Sequence, residues 1–273
     1  MRLVGLLGRS VIHWFTLTLN WWTLLYLTIK SAFVEKGKAK ILTLSTIRKQ
    51  VLFTGLQALS LITLIAIFTG ILIGTLVYFL NASEATKNFT PYVQTLFTEF
   101  TITTLTPLFI SLIIIARSGT AIASELANMK INKEVKLLES LGVNLYYFVI
   151  FPRVVGMIIS MLCLTVYYHF FALVTEYALI SILDVNLALN DTLRALTIPN
   201  FTQSLLKMFF ISISIAIIPA YYGLSAEKSY TEVPQVTTKG VVSSIVVTFI
   251  LTMLFTVLFA YLFGLSFTQQ RIF

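Results

Sequence analysis

Long apolar segments separated by short polar connections dominate this chain. Crossing the hydrocarbon core of a bilayer, ~30 Å thick, takes about 20 helical residues. Five segments satisfy this requirement, namely residues 52–80, 92–116, 150–181, 201–225 and 240–265. The pattern predicts an all-α integral membrane protein with five transmembrane helices, forming a single domain over residues 1–273.

One further apolar segment, residues 10–29, has a mixed character. It carries His13, Asn20, four threonines and three tryptophans, and tryptophan prefers the headgroup level of a membrane. These residues favour a helix over 10–34 that lies in the membrane interface. A sixth membrane-spanning helix is the alternative that the sequence leaves open.

Composition and charge agree with a membrane protein. Of the 273 residues, 58% are apolar and 11% are charged, whereas soluble domains average about 45–50% and about 25%. The net charge of +8 does not indicate nucleic-acid binding, because the basic residues cluster between apolar segments and form no polar basic face.

The basic residues predict the orientation in the membrane, because cytoplasmic loops retain lysine and arginine. With five spans, fifteen of the 19 basic residues fall on the side of the N-terminus. The other four are Lys87, Arg194, Lys207 and Arg271. We therefore expect a cytoplasmic N-terminus and a C-terminus on the opposite side.

The sequence lacks the motifs of the common catalytic and metal sites. Its one cysteine, Cys163, lies in an apolar segment, where we expect it to be a small buried residue. His13 and His169 are far apart, and neither HExxH nor GxxxxGK[ST] occurs. We expect no catalytic residues, no metal, no cofactor and no ATP hydrolysis by this chain.

The longest polar connection, residues 116–154, lies on the predicted cytoplasmic side. Asn132 can cap a short helix there, and Gly142 suits its end. Val135, Leu138 and Leu141 are spaced three residues apart and fall on one side of this helix. The pattern predicts an amphipathic helix within 125–142 that docks a cytoplasmic partner, with a merely solvated loop as the alternative.

Several motifs of this connection occur together in one known family. They are Arg117-Ser-Gly-Thr-Ala, Glu125-Leu-Ala-Asn-Met129, Leu138-Glu-Ser-Leu-Gly142-Val and Phe151-Pro-Arg153-Val. In order and spacing they resemble the signature of the MlaE/YrbE permeases, the membrane subunits of ABC transporters that work with MCE-domain proteins. Thr69-Gly70-Ile-Leu-Ile-Gly74, Tyr222-Gly223 and Lys207 agree with the same family.

This resemblance implies a function in lipid transport. The implied protein is a permease of the bacterial inner membrane, with a periplasmic C-terminus, that moves phospholipid or similar amphiphiles toward or from the outer envelope. The implied partners are two ABC ATPase subunits, an MCE-domain lipid-binding protein, in part of the family a STAS-domain protein, and a second permease copy or a paralogue. The implied ATPase-coupling residues are Arg117, Glu125, Met129, Glu139, Gly142 and Arg153.

The sequence departs from the family before Pro107. The family commonly has Arg-Glu-x-Gly-Pro there, whereas this chain has Thr103-Thr-Leu-Thr-Pro107. A transport role for that charged pair therefore does not carry over to this chain.

Three ionisable residues, Glu99, Glu176 and Lys207, lie inside the predicted spans. Charges in that position are costly unless they are paired or hydrated. We hypothesise that Lys207 pairs with one of the two glutamates beside the lipid path, and separate snorkelling to the interface is the alternative.

Gly70 and Gly74 leave a smooth face on the first span, which suits close helix packing or an acyl chain in a lipid cavity. An ion-coupled secondary transporter of a small amphiphile is the alternative function. It would favour repeats and midplane charges, and no repeat is visible.

Overall fold

The computed structural model of the chain describes residues 2–35, 40–82, 90–183, 198–227 and 229–270. Among these residues, five helices are long and apolar enough to cross a membrane. We call them the first to fifth spans: Thr43–Ala82, Tyr92–Ile131, Tyr146–Ile182, Ile198–Leu224 and Tyr230–Leu262. The prediction of an all-α membrane protein with five spans is confirmed.

Several spans combine regular helices with short tighter or wider turns. The first joins the helices Lys40–Thr54 and Leu59–Ala82 through a 3₁₀ turn at Leu56–Ala58. The second has helices at Thr90–Phe100, Thr106–Ile114 and Thr120–Ile131, with π-turns at Thr101–Leu105 and Ile115–Gly119 between them. The third begins with a π-turn at Tyr146–Ile150 and continues as Phe151–Ile182. The fifth begins with a 3₁₀ turn at Tyr230–Glu232 and continues as Val233–Gln270.

A separate N-terminal helix covers Arg2–Val34. From Thr16 to Val34, where the side chains are described, the buried residues are spaced three or four apart and are Trp21, Leu24, Thr28 and Ser31. An apolar face with the same spacing remains exposed and consists of Trp22, Tyr26, Ile29 and Phe33. The helix thus buries one face within the protein and exposes a second, apolar face. Its location in the membrane interface stays a prediction.

The chain forms two compact units. The first contains Met1–Gln50, Ile115–Met157 and Ile213–Ser244, and the second contains Val51–Ile114, Ile158–Ser212 and Ile245–Phe273. Lys87, Arg194 and Arg271, on which the predicted orientation partly depends, lie outside the described residues. The orientation therefore stays a prediction.

The first unit contains the N-terminal helix and the connection between the second and third spans. The N-terminal helix packs against the Tyr146–Ile150 turn. A small apolar cluster of Ala127, Ala226 and Val236 joins the end of the second span to the connection between the fourth and fifth spans. This unit therefore supports the polar segment that the sequence predicts to meet a partner.

The second unit is built around the first and third spans. The buried positions of the first span follow one helical face and are Ile62, Ala66, Thr69, Gly70, Ile73, Gly74 and Val77. Thr69 and Thr63 also hydrogen-bond Tyr168 and Tyr167 of the third span, at 2.9 and 2.8 Å between hydroxyl oxygens. Periodic small and apolar residues thus fix the pairing of these two helices.

Candidate functional site

The connection between the second and third spans contains two helices that meet at a sharp turn. The helix Thr120–Ile131 ends the second span, and a short helix covers Glu134–Ser140. Between them Lys133 has a φ of 62°, a left-handed conformation that is incompatible with a continuous right-handed helix. The predicted segment 125–142 is therefore not one uninterrupted helix.

Asn132 does not cap the short helix, so that prediction is wrong. The backbone N–H of Asn132 donates to the carbonyl of Asn128, and its side-chain oxygen accepts a hydrogen bond from the Tyr230 hydroxyl. Asn132 thus follows the last residue of the preceding helix. Its side-chain oxygen does not cap the short helix, because it accepts from Tyr230 of the fifth span. Lys133 occupies the capping position without a side-chain hydrogen bond.

Gly142 ends the short helix as its sequence position suggests. Its φ is 74°, its N–H donates to Glu139 O at 3.0 Å, and the Val143 N–H donates to Leu138 O at 2.9 Å. This pair of hydrogen bonds is a Schellman motif, which requires a left-handed residue and favours glycine.

The short helix buries one apolar residue and exposes others. Val135 is buried and Leu138 is half-buried. Leu137 and Leu141, which lie one turn apart, are 60% and 68% exposed. Val135 therefore anchors the helix to its own unit, while Leu137 and Leu141 form an apolar pair on its surface.

Two of the predicted coupling residues contact each other directly. Arg153 Nη2 lies 2.8 Å from Glu125 Oε1, with side-chain exposures of 10% and 62%. The salt bridge joins the end of the second span to the start of the third. Of the others, Arg117 and Met129 are half-buried, and Glu139 and Gly142 are exposed.

The end of the fourth span is a packing centre of the first unit. A Cβ on Gly223 would lie 2.6 Å from the carbonyl oxygen of Ala123. The neighbouring Tyr222 accepts a hydrogen bond from Ser243 at 3.1 Å and lies against Trp21, with ring centroids 6.5 Å apart. Tyr222 and Gly223 therefore connect the second span, the fifth span and the N-terminal helix, a role that their motif did not reveal.

Gly70 and Gly74 lie where the first span meets the third. A Cβ on Gly70 would be 2.5 Å from the carbonyl oxygen of Ala172, and one on Gly74 would be 2.9 Å from Leu179 Cδ2. The approach at Gly70 is to backbone, which has little freedom to move. This geometry supports helix packing as the role of Gly70, and a lipid-cavity role for either glycine stays untested.

Pro107 follows the π-turn Thr101–Leu105 of the second span. The backbone N–H of Thr106 donates to Thr101 O, five residues back, and the Thr106 hydroxyl donates to the same oxygen at 2.9 Å. Proline has no N–H, so it donates no backbone hydrogen bond to the preceding turn. The second span is therefore interrupted at a buried position.

Lys207 does not pair with Glu99 or Glu176, so the hypothesised ion pair is wrong. Its ammonium donates to the carbonyl of Thr103 at 2.7 Å and to the hydroxyl of Thr256 at 2.9 Å. The residue is 0% exposed, which also excludes snorkelling. The carbonyl oxygen of Thr103, in the interrupted second span, thus takes the place of the carboxylate that was expected to pair with Lys207.

The two glutamates have different surroundings. Glu176 is buried, and its Oε1 accepts hydrogen bonds from Thr98 Oγ1 at 2.8 Å and Gln94 Nε2 at 3.4 Å. Glu99 is half-buried. Glu176 thus links the third span to the second by accepting hydrogen bonds from the neutral side chains of Thr98 and Gln94.

His169 is a buried polar residue that the sequence gave no reason to select. It is 3% exposed, and its Nε2 lies 3.3 Å from the carbonyl of Ile102 and 3.4 Å from Ser204 Oγ. It therefore connects the third span to both the second and the fourth. The available signal was a single histidine in the apolar third span and a single lysine in the apolar fourth span.

An apolar groove of about 440 Å³ lies between the third and fourth spans. Its lining includes Cys163, Val166, Leu206 and Phe209. Cys163 is exposed, so the expectation of a buried cysteine is wrong, because its side chain faces this groove rather than the core.

Comparison with known proteins identifies the family. The family described as Permease MlaE matches residues 47–258. The "Probable ABC transporter permease protein" of Rickettsia typhi is 30% identical over 212 residues, which cover 76% of this chain and 80% of the relative. A protein of the same description from Rickettsia conorii is 30% identical over 211 residues, with the same shares.

A more distant similarity extends to a plant protein. The chloroplastic protein TRIGALACTOSYLDIACYLGLYCEROL 1 of Arabidopsis thaliana is 26% identical over 147 residues, which cover 52% of this chain and 41% of that protein. The family match covers most of the chain and includes all five spans, except the start of the first and the end of the fifth. The chain therefore belongs to the MlaE permease family, as the multi-pass membrane subunit of an ABC-type transporter whose ATPase subunits are separate chains.

Proposed function

We propose that this permease moves phospholipid or a similar amphiphile between the inner membrane and the outer envelope, together with an MCE-domain partner. The observation that carries the proposal is the family match over residues 47–258. The name of the Arabidopsis relative refers to trigalactosyldiacylglycerol, which is a lipid. The MCE partner, a STAS-domain protein and a second permease copy or paralogue follow from the sequence resemblance.

The exposed faces of the spans suit an amphiphilic cargo. The fifth span is the least buried of the five, since only 17% of its most apolar 18-residue stretch is buried. Its exposed side chains are apolar and include Phe249, Met253, Val257 and Tyr261. Acyl chains need such a surface and no directed hydrogen bonds, so a cavity between two permease copies, lined by the first and fifth spans, would accept them.

The short helix Glu134–Ser140 provides the contact to the ATPase. Its exposed Leu137 and Leu141 fit an apolar groove on a partner. The salt bridge between Glu125 and Arg153 transmits movement of the connection between the second and third spans to the third span. ATP binding would favour one conformation of the permease over another through the difference in contact energy between the two states.

Substitution of the exposed leucines tests the ATPase contact. Leu137→Asp with Leu141→Asp should leave the folded permease intact but weaken ATPase association at least about tenfold, because two apolar contacts are lost. Lys136→Asp is the control, since it places the same carboxylate at an exposed position of the same helix. Equal ATPase binding by the leucine variant, the control and the unmodified chain would contradict the assignment.

Reconstitution tests the transport function. Purified permease, ATPase and MCE protein in proteoliposomes should transfer a fluorescent phospholipid only when ATP is present. Transfer that follows a proton or sodium gradient without ATP would instead support the ion-coupled alternative. Mass spectrometry of lipids and proteins retained on the gently purified complex would identify the cargo and the second permease subunit.

The proposed location is the bacterial inner membrane, with a cytoplasmic N-terminus and a periplasmic C-terminus. A Glu139→Cys variant in a Cys163→Ser background should react with an impermeant thiol reagent only in inverted vesicles. Reaction in intact spheroplasts would reverse the orientation.

A further inference from the structure

The interruption of the second span removes the α-helical donors of two adjacent carbonyl groups. The N–H of Thr106, the α-helical partner of Ile102 O, donates to Thr101 O instead. The α-helical partner of Thr103 O would be residue 107, which is a proline and has no N–H. Ile102 O and Thr103 O therefore lack their α-helical donors, and they meet side-chain donors from elsewhere.

Those donors come from two other spans. His169 Nε2 lies 3.3 Å from Ile102 O, and Lys207 Nζ donates to Thr103 O at 2.7 Å. Ile102, Thr103, His169 and Lys207 are all buried. One polar side chain from the third span and one from the fourth thus meet the two orphaned carbonyls.

Each partner in this arrangement needs the other. A backbone carbonyl in hydrocarbon without a donor costs several kcal/mol, and a buried ammonium needs acceptors. The hydrogen bond between Lys207 and Thr103 resolves both problems together. If the third and fourth spans moved away from the second, both the carbonyls and the two side chains would lose these partners.

We propose that Lys207 and His169 are positioning residues for the transport step. They bind the backbone of the second span at its proline interruption, and this interruption acts as a joint in the span during transport. Wide π-turns inside helices recur at functional positions, and proline is among the identifiable causes of helix kinks. This inference rests on the proposed transport function for its consequence, although the joint itself is defined by hydrogen bonds.

A double-mutant cycle tests the pairing of Lys207 with the orphaned carbonyl. Pro107→Ala supplies an N–H that Thr103 O can accept in a regular helix. Lys207→Met alone should lower the folding equilibrium constant of the purified permease roughly tenfold, because it leaves a buried carbonyl unpaired. In the Pro107→Ala background the same change should cost no more than about twofold.

Thr256→Val is the matched control. It removes the other acceptor of Lys207 without changing the second span, so Pro107→Ala should not reduce its effect. Additive effects of Lys207→Met and Pro107→Ala would overturn the pairing. The pairing would also be overturned if Pro107→Ala reduced the cost of Thr256→Val as much as it reduces the cost of Lys207→Met. That result would indicate a general rise in stability.

Transport kinetics test the role as positioning residues. In proteoliposomes with the ATPase and MCE partner, Lys207→Met and His169→Phe should each lower the maximum rate of phospholipid transfer about tenfold, with the half-saturating lipid concentration changed less than about twofold. Lys207→Arg should restore part of the rate, because it keeps the donor. A loss that appears only in the half-saturating concentration would overturn the role.

The failure of this inference is distinguishable from failure of the proposed function. The stability cycle needs only the purified permease and no cargo. An additive cycle with ATP-driven phospholipid transfer intact overturns the joint alone. A coupled cycle in a protein that transfers no phospholipid with ATP overturns the proposed function and, with it, the role of the joint in transport.

Discussion

Substitution of Gly70 tests the close packing of the first span on the third. The Cβ of Gly70→Ala would lie 2.5 Å from Ala172 O, 2.8 Å from Thr175 Cβ and 3.0 Å from the backbone nitrogen of Glu176. Real Cβ atoms essentially never approach within 3.0 Å. The two helices must therefore separate locally, since backbone atoms cannot turn aside as a side chain can.

The cost follows from this displacement. Overpacking of a tight interface costs about 1–3 kcal/mol. Separation also weakens the adjacent hydrogen bond between Thr69 and Tyr168, 2.9 Å long, which contributes about 1 kcal/mol. Alanine recovers about 1 kcal/mol of helix propensity relative to glycine. We therefore expect Gly70→Ala to lower the free energy of unfolding by about 1–3 kcal/mol.

Gly74→Ala is the matched control on the same helix face. Its Cβ would come closest to Leu179 Cδ2, at 2.9 Å, and the end of a leucine side chain can change rotamer. Leu179 Cβ at 3.2 Å and the carbonyl oxygen of Glu176 at 3.3 Å would each have to move by only a few tenths of an ångström. The remaining strain should be offset by the gain of about 1 kcal/mol in helix propensity, so the net change should be near zero.

Denaturant unfolding of the purified permease in detergent, followed by tryptophan fluorescence, measures both variants. A cost for Gly70→Ala that is equal to or smaller than that for Gly74→Ala would refute the reasoning. That result would mean that the backbone of the third span at Ala172 can move away from the added Cβ as easily as the Leu179 side chain can.

Two further predictions concern the connection between the second and third spans. Lys133→Gly should raise the free energy of unfolding by about 0.5–1 kcal/mol in the same denaturant assay, because glycine adopts the left-handed conformation without the Cβ penalty; a loss of stability would contradict that account. Glu125→Gln and Arg153→Gln should each cost about 1–2 kcal/mol, moderated by the exposure of Glu125, and the double variant should cost less than the sum of the two. Additive costs in that cycle would exclude a stabilising salt bridge.

The membrane architecture was predictable because it depends on segment composition. An apolar segment of sufficient length must cross the bilayer as a helix, whichever neighbours it acquires. The first span accordingly appears from the sequence at residues 52–80, and in the structure the span covers Thr43–Ala82, with a 3₁₀ turn at Leu56–Ala58. The position of Gly142 was equally accessible, since its left-handed conformation is a local requirement.

The partners of the buried polar residues were not predictable in the same way. Lys207 was expected to seek a carboxylate, whereas its acceptor is the backbone carbonyl of Thr103. Every residue has a carbonyl, so no sequence pattern marks this one, except that a proline follows four residues later. Asn132 failed as a helix cap for a related reason, because its competitor Tyr230 lies 98 residues further along the chain.

The two acceptors of Lys207 become available at different times during protein synthesis. Thr103 precedes the lysine by 104 residues, and Thr256 follows it by 49. A lysine at the centre of an inserting helix costs about 2.5–3.5 kcal/mol, so the fourth span should leave the translocon most readily when the second span is already beside it. The fifth span then supplies the second acceptor as it emerges. Lys207 therefore links the order in which the ribosome makes these helices to the order in which they assemble in the bilayer.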